Sequence, residues 1–339
     1  MTQAVIYGVA GLALAQSEAD FLRDADPWGF ILFARNIGEA DQVRALCADL
    51  RAAVGRDAPI LIDQEGGRVA RLRPPLVPAR PAMDRFGELA KLDPHAAEEA
   101  AFLGARLIAE DCRGLGIDVD CAPVLDVRGP DTHDAIGDRA LARDPQTVTR
   151  LGRAVADGLM AGGCLPVVKH TPGQGRAAAD SHHELPRVTA PLSELEATDF
   201  PPFAALSDLP LAMTTHIVFE ALDAERPCTQ SPVVIGETIR ERLGFDGLLM
   251  TDDLSMKALG GDFRERAAKS LAAGCDVILH CNGDAEEMRA VAEGARALDA
   301  DGARRAAAAL ALRPDAPDLA EKADRETRFT SLLRPVTTA

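Results

Sequence analysis

Short apolar runs recur along the chain, and stretches with helical periodicity separate them. Eight runs have the length of buried strands: residues 4–9, 29–34, 59–63, 117–127, 165–170, 211–216, 247–252 and 275–281. Amphipathic stretches lie between them, at residues 39–53, 96–115, 145–161, 232–243 and 262–273. Alternating strands and helices predict parallel pairing through crossover helices, and eight strands predict an α/β fold of the closed (β/α)8 TIM barrel type. A doubly wound open sheet is the alternative, but no GxGxxG loop follows the first run.

Polar residues stand at the ends of most of these apolar runs. They are Arg35, Asn36, Asp63, Glu65, Arg68, Asp126, Lys169, His170, His216, Asp252, Asp253 and Asn282. In a barrel the carboxyl ends of the strands form one rim, and barrel enzymes carry their catalytic groups there. Because polar side chains within buried strands are costly to bury, so many polar strand ends favour an active site at this rim.

The chain is predicted to form a single catalytic domain over residues 1–339, since it shows no internal repeat and no low-complexity linker. C-terminal helices are predicted from about residue 302, at residues 302–312 and 318–333, with a short tail after Pro335. The apolar residues 4–15 resemble a secretory signal, but a signal needs a basic start and the first basic residue is Arg23. We interpret this segment as the first strand and a turn.

The composition is typical of a globular protein, with 47% hydrophobic and 27% charged residues. The formal net charge of −16 argues against nucleic acid or an anionic membrane as a partner, because both would repel the chain. Seven cysteines are scattered without a CxxC pair, which is typical of reduced, buried thiols in a cytoplasmic protein. A monomer that acts on a small molecule is the expected form.

One polar segment carries much of the candidate chemistry. The fifth apolar run leads into Lys169 and His170, and a loop of glycine, proline and alanine then brings in Asp180 and His182. A rigid strand end can fix the first two groups while a flexible loop carries the other two. Because Asp180 and His182 are two residues apart, an extended segment would place both side chains on one face.

Two adjacent carboxylates, Asp252 and Asp253, end the seventh apolar run. If the strand persists, their side chains point to opposite sides. One would then face the barrel mouth while the other turns toward a helix N-terminus as a cap. The alternative, in which both residues are caps, stays open on the residues alone.

A third set of charged residues surrounds a pair of glycines after the third run. Carboxylates can bind vicinal hydroxyls, and arginines can bind hydroxyl, carbonyl or carboxylate groups in a fork. The residues of this set are Asp63, Glu65, Arg68 and Arg71, with Arg139 on a second loop. For any single arginine the alternative is an ordinary surface salt bridge.

The chain resembles glycoside hydrolase family 3, and within it the single-domain bacterial β-N-acetylhexosaminidases of peptidoglycan recycling. Six segments carry the resemblance in the family's order: residues 29–36, 63–69 (Asp-Gln-Glu-Gly-Gly-Arg-Val), 122–127 (Ala-Pro-Val-Leu-Asp-Val), 169–175 (Lys-His-Thr-Pro-Gly-Gln-Gly), 180–182 (Asp-Ser-His) and 251–256 (Thr-Asp-Asp-Leu-Ser-Met). Each segment alone is a weak signal, whereas six in order are specific.

The resemblance implies retaining hydrolysis of terminal, non-reducing β-linked N-acetylglucosamine, from peptidoglycan-derived N-acetylglucosaminyl-1,6-anhydro-N-acetylmuramic acid and its peptides. It implies that Asp252 is the nucleophile, that His182 is the general acid/base and that Asp180 is the partner of His182. The sugar-binding positions that it implies are Asp63, Arg71, Arg139, Lys169 and His170. No cofactor and no metal are expected.

Two residues depart from the family pattern. Thr171 stands where the family usually has a bulkier apolar residue, and Gln174 replaces the second histidine of the usual Pro-Gly-His-Gly. Neither change removes a residue with an implied catalytic role. Both bear on how the loop closes and what it contacts.

Four other functions remain open. A phosphorylase is possible because a histidine acid/base repels an anionic acceptor less than a carboxylate does, and another family 3 β-glycosidase is a related alternative. A metal-dependent hydrolase would use His170, Asp180, His182 and His183, although these lack an established zinc-ligand spacing. A catalytically inactive sugar-binding protein would keep the site without turnover.

Overall fold

The computed structural model describes residues 1–181, 183–313 and 315–337. Eight parallel strands form a closed barrel in which each pairs with its neighbours along the chain and the last pairs with the first. In chain order they are β1 (Gln3–Gly8), β2 (Pro27–Leu32), β3 (Ile60–Ile62), β4 (Val119–Asp120), β5 (Leu165–Thr171), β6 (Leu211–Thr214), β7 (Leu248–Asp253) and β8 (Val277–His280). The predicted (β/α)8 TIM barrel is confirmed, and the open sheet is wrong because β8 closes onto β1.

Helices surround the barrel and return the chain between strands. Their bounds are Gln16–Ala25, Ala40–Val54, Asp84–Ala90, Pro94–Gly114, Pro145–Ala161, Leu192–Glu194, Phe200–Ala205, Phe263–Ala273, Ala285–Gly294, Ala300–Ala311 and Lys322–Thr337, with π-helical Leu195–Asp199 and Val234–Arg242. Aspartates begin several of them because a carboxylate satisfies free amides in the first turn. The Asp144 carboxylate accepts from the Thr147 amide at 2.8 Å, and that of Asp262 from the Glu265 amide at 2.8 Å.

The fourth strand is much shorter than the apolar run at residues 117–127 suggested. Regular pairing covers only Val119–Asp120, and one isolated bridge joins Val124 to Lys169. Proline has no amide hydrogen to donate, so Pro123 interrupts the regular ladder. The chain nevertheless stays beside β5, since the Lys169 amide donates to the Pro123 carbonyl at 3.1 Å.

The first and last segments both pack on the barrel. Residues 4–9 are buried and contain most of β1, the strand predicted for this segment. The final helix, Lys322–Thr337, continues beyond Pro335, where a tail was predicted. Ion pairs join this helix to the rest of the chain. Arg80 lies 2.6 Å from Glu326 of the helix and also 3.2 Å from Asp111, which lies outside it.

All seven cysteines are buried and form no disulfide. Most of them lie in or next to strands, among apolar side chains of the core. Burial raises the pKa of the Cys47 and Cys228 thiols to about 12, so these two groups are protonated at neutral pH. The predicted set of reduced, buried thiols is therefore what the fold contains.

Candidate active site

A cavity of about 300 Å³ opens at the carboxyl ends of the strands. Its size is at the lower end of the range for small-molecule sites. The polar and charged residues that line it are Asp63, Arg68, Arg71, Arg139, Lys169, His170, Gln174, Asp180, Ser181, Asp252 and Asp253. Every site residue proposed from the sequence lies at this cavity, except His182, which is outside the described residues.

Lys169 stands at the centre of a buried ion cluster on one side of the cavity. Its Nζ atom lies 2.8 Å from Oδ1 of Asp63 and 2.6 Å from Oε1 of Glu65. Arg139 binds both oxygens of Glu65, at 2.9 and 2.8 Å, and Arg71 lies 3.1 Å from Oδ2 of Asp63. Because buried charges need close partners, this mutual pairing is what allows a lysine that is 1% exposed to stay in the barrel mouth.

The pairing also sets the charge of each group. Burial acts against ionisation of Asp63, but Lys169 and Arg71 outweigh it and hold the pKa of that carboxyl well below its usual range. For Glu65, burial is outweighed by Arg139 and Lys169, which lower the pKa to about 2. Burial alone would lower the pKa of Lys169, yet Asp63 and Glu65 raise it. The cluster is therefore fully charged at neutral pH and presents strong hydrogen-bond partners to a polar ligand.

His170 lies beside this cluster and is supported from behind by Asp126. The Nδ1 atom of the ring lies 2.7 Å from Oδ2 of Asp126, a residue that is fully buried. The other oxygen of Asp126 accepts from the amides of His170, at 3.3 Å, and Gln174, at 2.7 Å. One carboxylate thus positions both the imidazole and the first turn of the loop that follows β5.

The two departures from the family pattern have different surroundings. Gln174 is buried at the cavity, and its Oε1 atom accepts a hydrogen bond from the Thr215 hydroxyl at 2.9 Å. Thr171 ends β5, and its carbonyl accepts from the Thr215 amide at 3.0 Å. Within the described part of the chain the Thr171 hydroxyl has no hydrogen-bond partner. The glutamine therefore attaches the start of the loop to the end of β6.

The adjacent carboxylates of β7 have unequal surroundings. The Asp253 carboxylate accepts from the Ser255 hydroxyl, from the Ser255 amide at 3.1 Å and from the Cys281 amide at 3.1 Å. The Asp252 carboxylate accepts from the Asp253 amide at 2.8 Å. The expectation that one of the pair caps a helix is wrong, because the next helix starts at Phe263. Asp253 instead holds the turn after β7 and the end of β8. Among the described residues the Asp252 carboxylate has fewer hydrogen-bond donors around it and keeps more acceptor capacity at the cavity.

The loop that carries Asp180 is attached to the barrel on both sides of that residue. The His133 amide donates to the Ala177 carbonyl at 3.0 Å, and the Ala258 amide donates to the Ser181 carbonyl at 3.2 Å. The first bond joins the loop to the segment after β4, and the second joins it to the segment after Asp252. The loop that carries Asp180 is therefore connected, through main-chain hydrogen bonds, to the segment that follows Asp252 at the end of β7.

The backbone carbonyl of Asp180 accepts two hydrogen bonds from residues that follow it. The predicted common face of Asp180 and His182 involves His182, which lies outside the described residues. The Asp180 carbonyl accepts from the His183 amide at 2.9 Å and from the Glu184 amide at 3.1 Å. The side chain of His183 is 76% exposed, and its Nε2 atom lies 3.9 Å from Asp180. A local turn satisfies these backbone groups where no neighbouring strand is present to do so.

Several polar strand ends hold loops in place and do not line the cavity. The Asn36 side chain donates to the carbonyls of Val9, at 3.0 Å, and Gly11, at 2.8 Å. His216 is fully buried, with Nδ1 2.7 Å from the Thr229 hydroxyl. Asn282 donates to Glu287 at 2.8 Å. Polarity at a strand end therefore marks the rim, but it does not separate ligand-facing residues from structural ones.

A further buried carboxyl, Asp120, ends β4 and was not expected. Its Oδ1 atom accepts from the Gln64 amide at 2.9 Å, and its Oδ2 atom has no hydrogen-bond partner among the described residues. Burial raises the pKa of Asp120 to about 7, although the Gln64 amide and Lys169 act to lower it. A proton is therefore held inside the barrel at mildly acidic pH.

The sequence marked Glu65 as one of the charged residues around the glycine pair and Asp126 as a polar strand end, but it gave neither residue a role in the site. The spacing of Glu65, two residues after Asp63, could have suggested that both carboxylates face one ligand or one cation. Nothing in the local sequence marks Asp126 as the partner of His170, because the two residues are 44 positions apart.

Over residues 1–181, 183–313 and 315–337, no group of three or more His, Cys, Asp or Glu side chains is arranged to hold a metal ion. Over the same ranges, no helix has the length and apolar character needed to cross a membrane.

The chain is similar to known glycoside hydrolases over most of its length. The family model for the glycosyl hydrolase family 3 N terminal domain matches residues 4–309. A beta-hexosaminidase from Bordetella avium is 39% identical over 282 residues, which is 82% of this chain and 80% of that protein.

Two solved structures of NagZ from Neisseria gonorrhoeae are similar over nearly their whole length. The native structure has a TM-score of 0.85 at 32% identity, covering 97% of this chain and 95% of that one. The complex with N-trifluoroacetyl-D-glucosamine has a TM-score of 0.87 at 31% identity, covering 97% of both chains. With a family model that spans most of its length and relatives above 30% identity, this chain belongs to glycosyl hydrolase family 3.

Proposed function

We propose that this family 3 β-N-acetylhexosaminidase removes terminal, non-reducing β-linked N-acetylglucosamine by retaining hydrolysis. The observation that carries the proposal is that Asp252 lines the same cavity as the charged cluster around Lys169. The relatives support the sugar: one is named a beta-hexosaminidase, and a similar structure holds N-trifluoroacetyl-D-glucosamine, an N-acylated glucosamine.

Asp252 is the nucleophile in this proposal. Its carboxylate attacks the anomeric carbon as the bond to the leaving oxygen breaks, and a covalent glycosyl-Asp252 intermediate forms. Water then attacks the same carbon and releases both the sugar and the carboxylate, so that two inversions give net retention. The acceptor capacity left on Asp252 suits this role, whereas the hydrogen bonds of Asp253 are committed to the turn.

His182 is the general acid/base. It protonates the leaving oxygen in the first step and takes a proton from water in the second. An imidazole suits both halves because its unperturbed pKa of about 6.5 is close to neutral pH. Asp180 is its partner, a carboxylate that orients the ring and stabilises the imidazolium when it forms. The position of Asp180 at the cavity supports this assignment.

The sugar is held by other polar groups that line the cavity. Asp63 accepts hydrogen bonds from ring hydroxyls, while Lys169 and Arg71 donate to hydroxyl oxygens. Arg139 and His170 contribute from the adjacent loop and strand end. Hydrogen bonds that strengthen as charge develops on the sugar lower the barrier, whereas bonds of equal strength throughout only tighten binding.

The physiological substrate that we propose is N-acetylglucosaminyl-1,6-anhydro-N-acetylmuramic acid, with or without its peptide. We further propose a monomeric, cytoplasmic enzyme formed by a single domain over residues 1–339, which needs no cofactor or metal and binds neither nucleic acid nor membrane. The free cysteines support the cytoplasmic location, and the net charge of −16 supports the absence of nucleic-acid and membrane binding.

A trapping experiment tests the nucleophile and the retaining mechanism together. The enzyme is incubated with a 5-fluoro N-acetylglucosaminyl fluoride, and labelled peptides are mapped by mass spectrometry. We expect one label, on Asp252. A label on Asp253, or turnover through an inverted product with no label, would overturn the proposal.

The choice between hydrolysis and phosphorolysis is tested with inorganic phosphate. We expect the rate and the product, free N-acetylglucosamine, to be unchanged when phosphate is added. Formation of N-acetylglucosamine 1-phosphate would make the enzyme a phosphorylase.

Metal independence is tested by measuring the rate in the presence of a chelator. We expect full activity, and loss of activity that an added metal ion restores would contradict it.

A further inference from the structure

A second cavity, which we call the arginine groove, opens next to the sugar cavity. Its volume is about 480 Å³. Segments that follow β4 and β5 form it, and its lining residues are Val127–Thr132, Arg143, Gly175, Arg176, Thr198 and Asp199. It is thus a second pocket on the same rim of the barrel, and none of the residues to which we have assigned a catalytic or sugar-binding role lines it.

The groove and the sugar cavity share a wall. Gln174 lines the sugar cavity and its neighbour Gly175 lines the groove. The Thr132 hydroxyl donates to the Gly175 carbonyl and accepts from the Gly129 amide at 2.7 Å, which fixes the two segments against each other. This wall is the first part of the loop that carries Asp180. Because the general acid protonates the leaving oxygen, the leaving group departs on the side of that loop.

Two arginines give the groove its available positive charge. Among the described residues the Arg128 guanidinium forms no hydrogen bond and no ion pair, whereas that of Arg143 donates to the Gly129 carbonyl at 2.9 Å. Both also line a smaller hollow of about 170 Å³, together with Asp84, Glu88 and Asp144. Burial raises the pKa of Asp84 there, and the charge of Arg128 acts to lower it, without a hydrogen bond or ion pair between the two among the described residues.

The remaining charged groups of the lining are mostly occupied. Arg176 lies 2.7 Å from Asp199 and 3.1 Å from Glu194, so its charge is compensated within the protein. Asp131 is an exposed acid at the edge of the groove. With Arg176 and Asp199 paired, the charged residues left in the lining of the groove are Arg128, Arg143 and Asp131, which together carry a net positive charge.

We infer that the arginine groove binds a carboxylate of the leaving group, through Arg128 and Arg143. The inference rests on the proposed function and deepens it, since it assigns the acidic lactyl or peptide part of the muramic acid aglycone to a definite surface. Two guanidinium groups with free donors form charge-assisted hydrogen bonds to a carboxylate, and such bonds are stronger than those between neutral groups. A protein with a large net negative charge needs a local positive site of this kind to accept an anionic substrate.

The inference predicts that the enzyme distinguishes substrates by the charge of the aglycone. Two substrates share the same sugar and differ in one group: N-acetylglucosaminyl-1,6-anhydro-N-acetylmuramic acid and its methyl ester. A third, 4-nitrophenyl β-N-acetylglucosaminide, has a neutral leaving group that is too small to reach the groove. We expect the wild-type kcat/KM to be about tenfold higher for the acid than for the ester, which corresponds to about 1.4 kcal/mol.

The variant that tests the groove is R128Q/R143Q. We expect it to lose the preference for the acid over the ester while its kcat/KM on the neutral aryl substrate stays within about twofold of wild type. R304Q is the matched control, because Arg304 is also half exposed but lies beside Asp246, at the opposite, amino-terminal end of β7. It should keep the full preference.

The outcomes separate this inference from the proposed function. If wild type cleaves the aryl substrate but treats acid and ester alike, the groove does not bind a carboxylate and the hydrolase proposal stands. The groove is likewise rejected as a carboxylate site, and the hydrolase proposal stands, if R128Q/R143Q lowers kcat/KM equally for all three substrates or keeps the preference for the acid over the ester. If wild type cleaves none of the three substrates, both proposals are overturned.

Discussion

Asp126 and His170 form a buried pair in which Oδ2 of the carboxylate lies 2.7 Å from Nδ1 of the ring. A carboxylate at this distance favours the tautomer with its hydrogen on Nδ1. The Nε2 atom is then the free acceptor, 3.4 Å from Arg139 at the edge of the cavity. The tautomer of a residue that we propose to contact sugar is thus set by a residue that does not line the cavity.

The Asp126→Asn variant tests this relationship. An asparagine keeps an oxygen for the amides of His170 and Gln174, but it can present a donor to Nδ1 and so favour the other tautomer. We expect kcat/KM on the aryl substrate to fall by about 10- to 100-fold, since a displaced contact group has an effect of that size. The unfolding midpoint should change little. Unchanged kinetics would show that the ring orientation does not matter for the reaction.

Removal of Lys169 should destabilise the fold as well as the site. In Lys169→Met the carboxylates of Asp63 and Glu65 lose their shared cation and remain buried. Loss of one partner from a buried ion pair reduces the free energy of unfolding by about 3–5 kcal/mol. Lys269→Met is the control, because Lys269 is 57% exposed beside Glu265 and should contribute less than about 1 kcal/mol. Urea unfolding measures both, and equal losses would contradict the cluster's buried character.

The two carboxylates of β7 should separate activity from stability. Asp252→Ala should reduce turnover by several orders of magnitude while leaving the unfolding free energy close to wild type. Asp253→Ala removes the acceptor for Ser255 and Cys281 and should lower that free energy by about 1–3 kcal/mol. Kinetics and chemical unfolding of both variants are the measurements. The reverse ranking would reject Asp252 as the nucleophile.

Asp120 should make stability depend on pH in an unusual direction for an aspartate. Its pKa is raised from 3.8 to about 7 in the folded state. Between these values the folded chain binds one proton that the unfolded chain has lost, so the contribution to stability falls as pH rises toward 7. The slope for one proton is at most about 1.4 kcal/mol per pH unit.

Asp120→Asn removes this titration and isolates it from all others. The asparagine can still accept from the Gln64 amide, so the variant should be no less stable at pH 8. We expect the difference in unfolding free energy, variant minus wild type, to become more positive from pH 5 to pH 8. A constant difference would mean that Asp120 is ionised throughout this range.

The role of His182 is best tested by varying the leaving group. His182→Ala should reduce hydrolysis of the disaccharide far more than hydrolysis of an activated aryl glycoside, because a poor leaving group needs full protonation. Initial rates on both substrates measure this. Equal losses would count against an acid role.

Much of the fold was predictable, because the period of the apolar residues directly reflects burial. Each of the eight apolar runs overlaps a barrel strand, and the amphipathic stretches fall on helices. An exception arises where backbone chemistry overrides apolar pattern. Pro123 shortens β4.

The sequence predicted which residues would gather at the rim, but it did not predict which of them form ion pairs and hydrogen bonds with each other. Strand ends and motifs placed Asp63, Lys169 and Asp252 at one rim, since parallel strands end together. That Glu65 serves both Lys169 and Arg139 depends on the positions of three side chains from separate parts of the chain. Asp120 was missed because its only visible signal is burial within an apolar run.

The loop that carries Asp180 is attached to the barrel by main-chain hydrogen bonds, which depend little on the identity of the side chains. Its two anchoring bonds, from His133 to Ala177 and from Ala258 to Ser181, use amide hydrogens and carbonyl oxygens alone. Side-chain replacement at these four positions leaves both bonds possible, with one exception. Proline at 133 or 258 would delete a donor. The attachment of this loop to the barrel therefore tolerates most side-chain replacements at the four positions, and proline at 133 or 258 is the substitution that removes one of the two bonds.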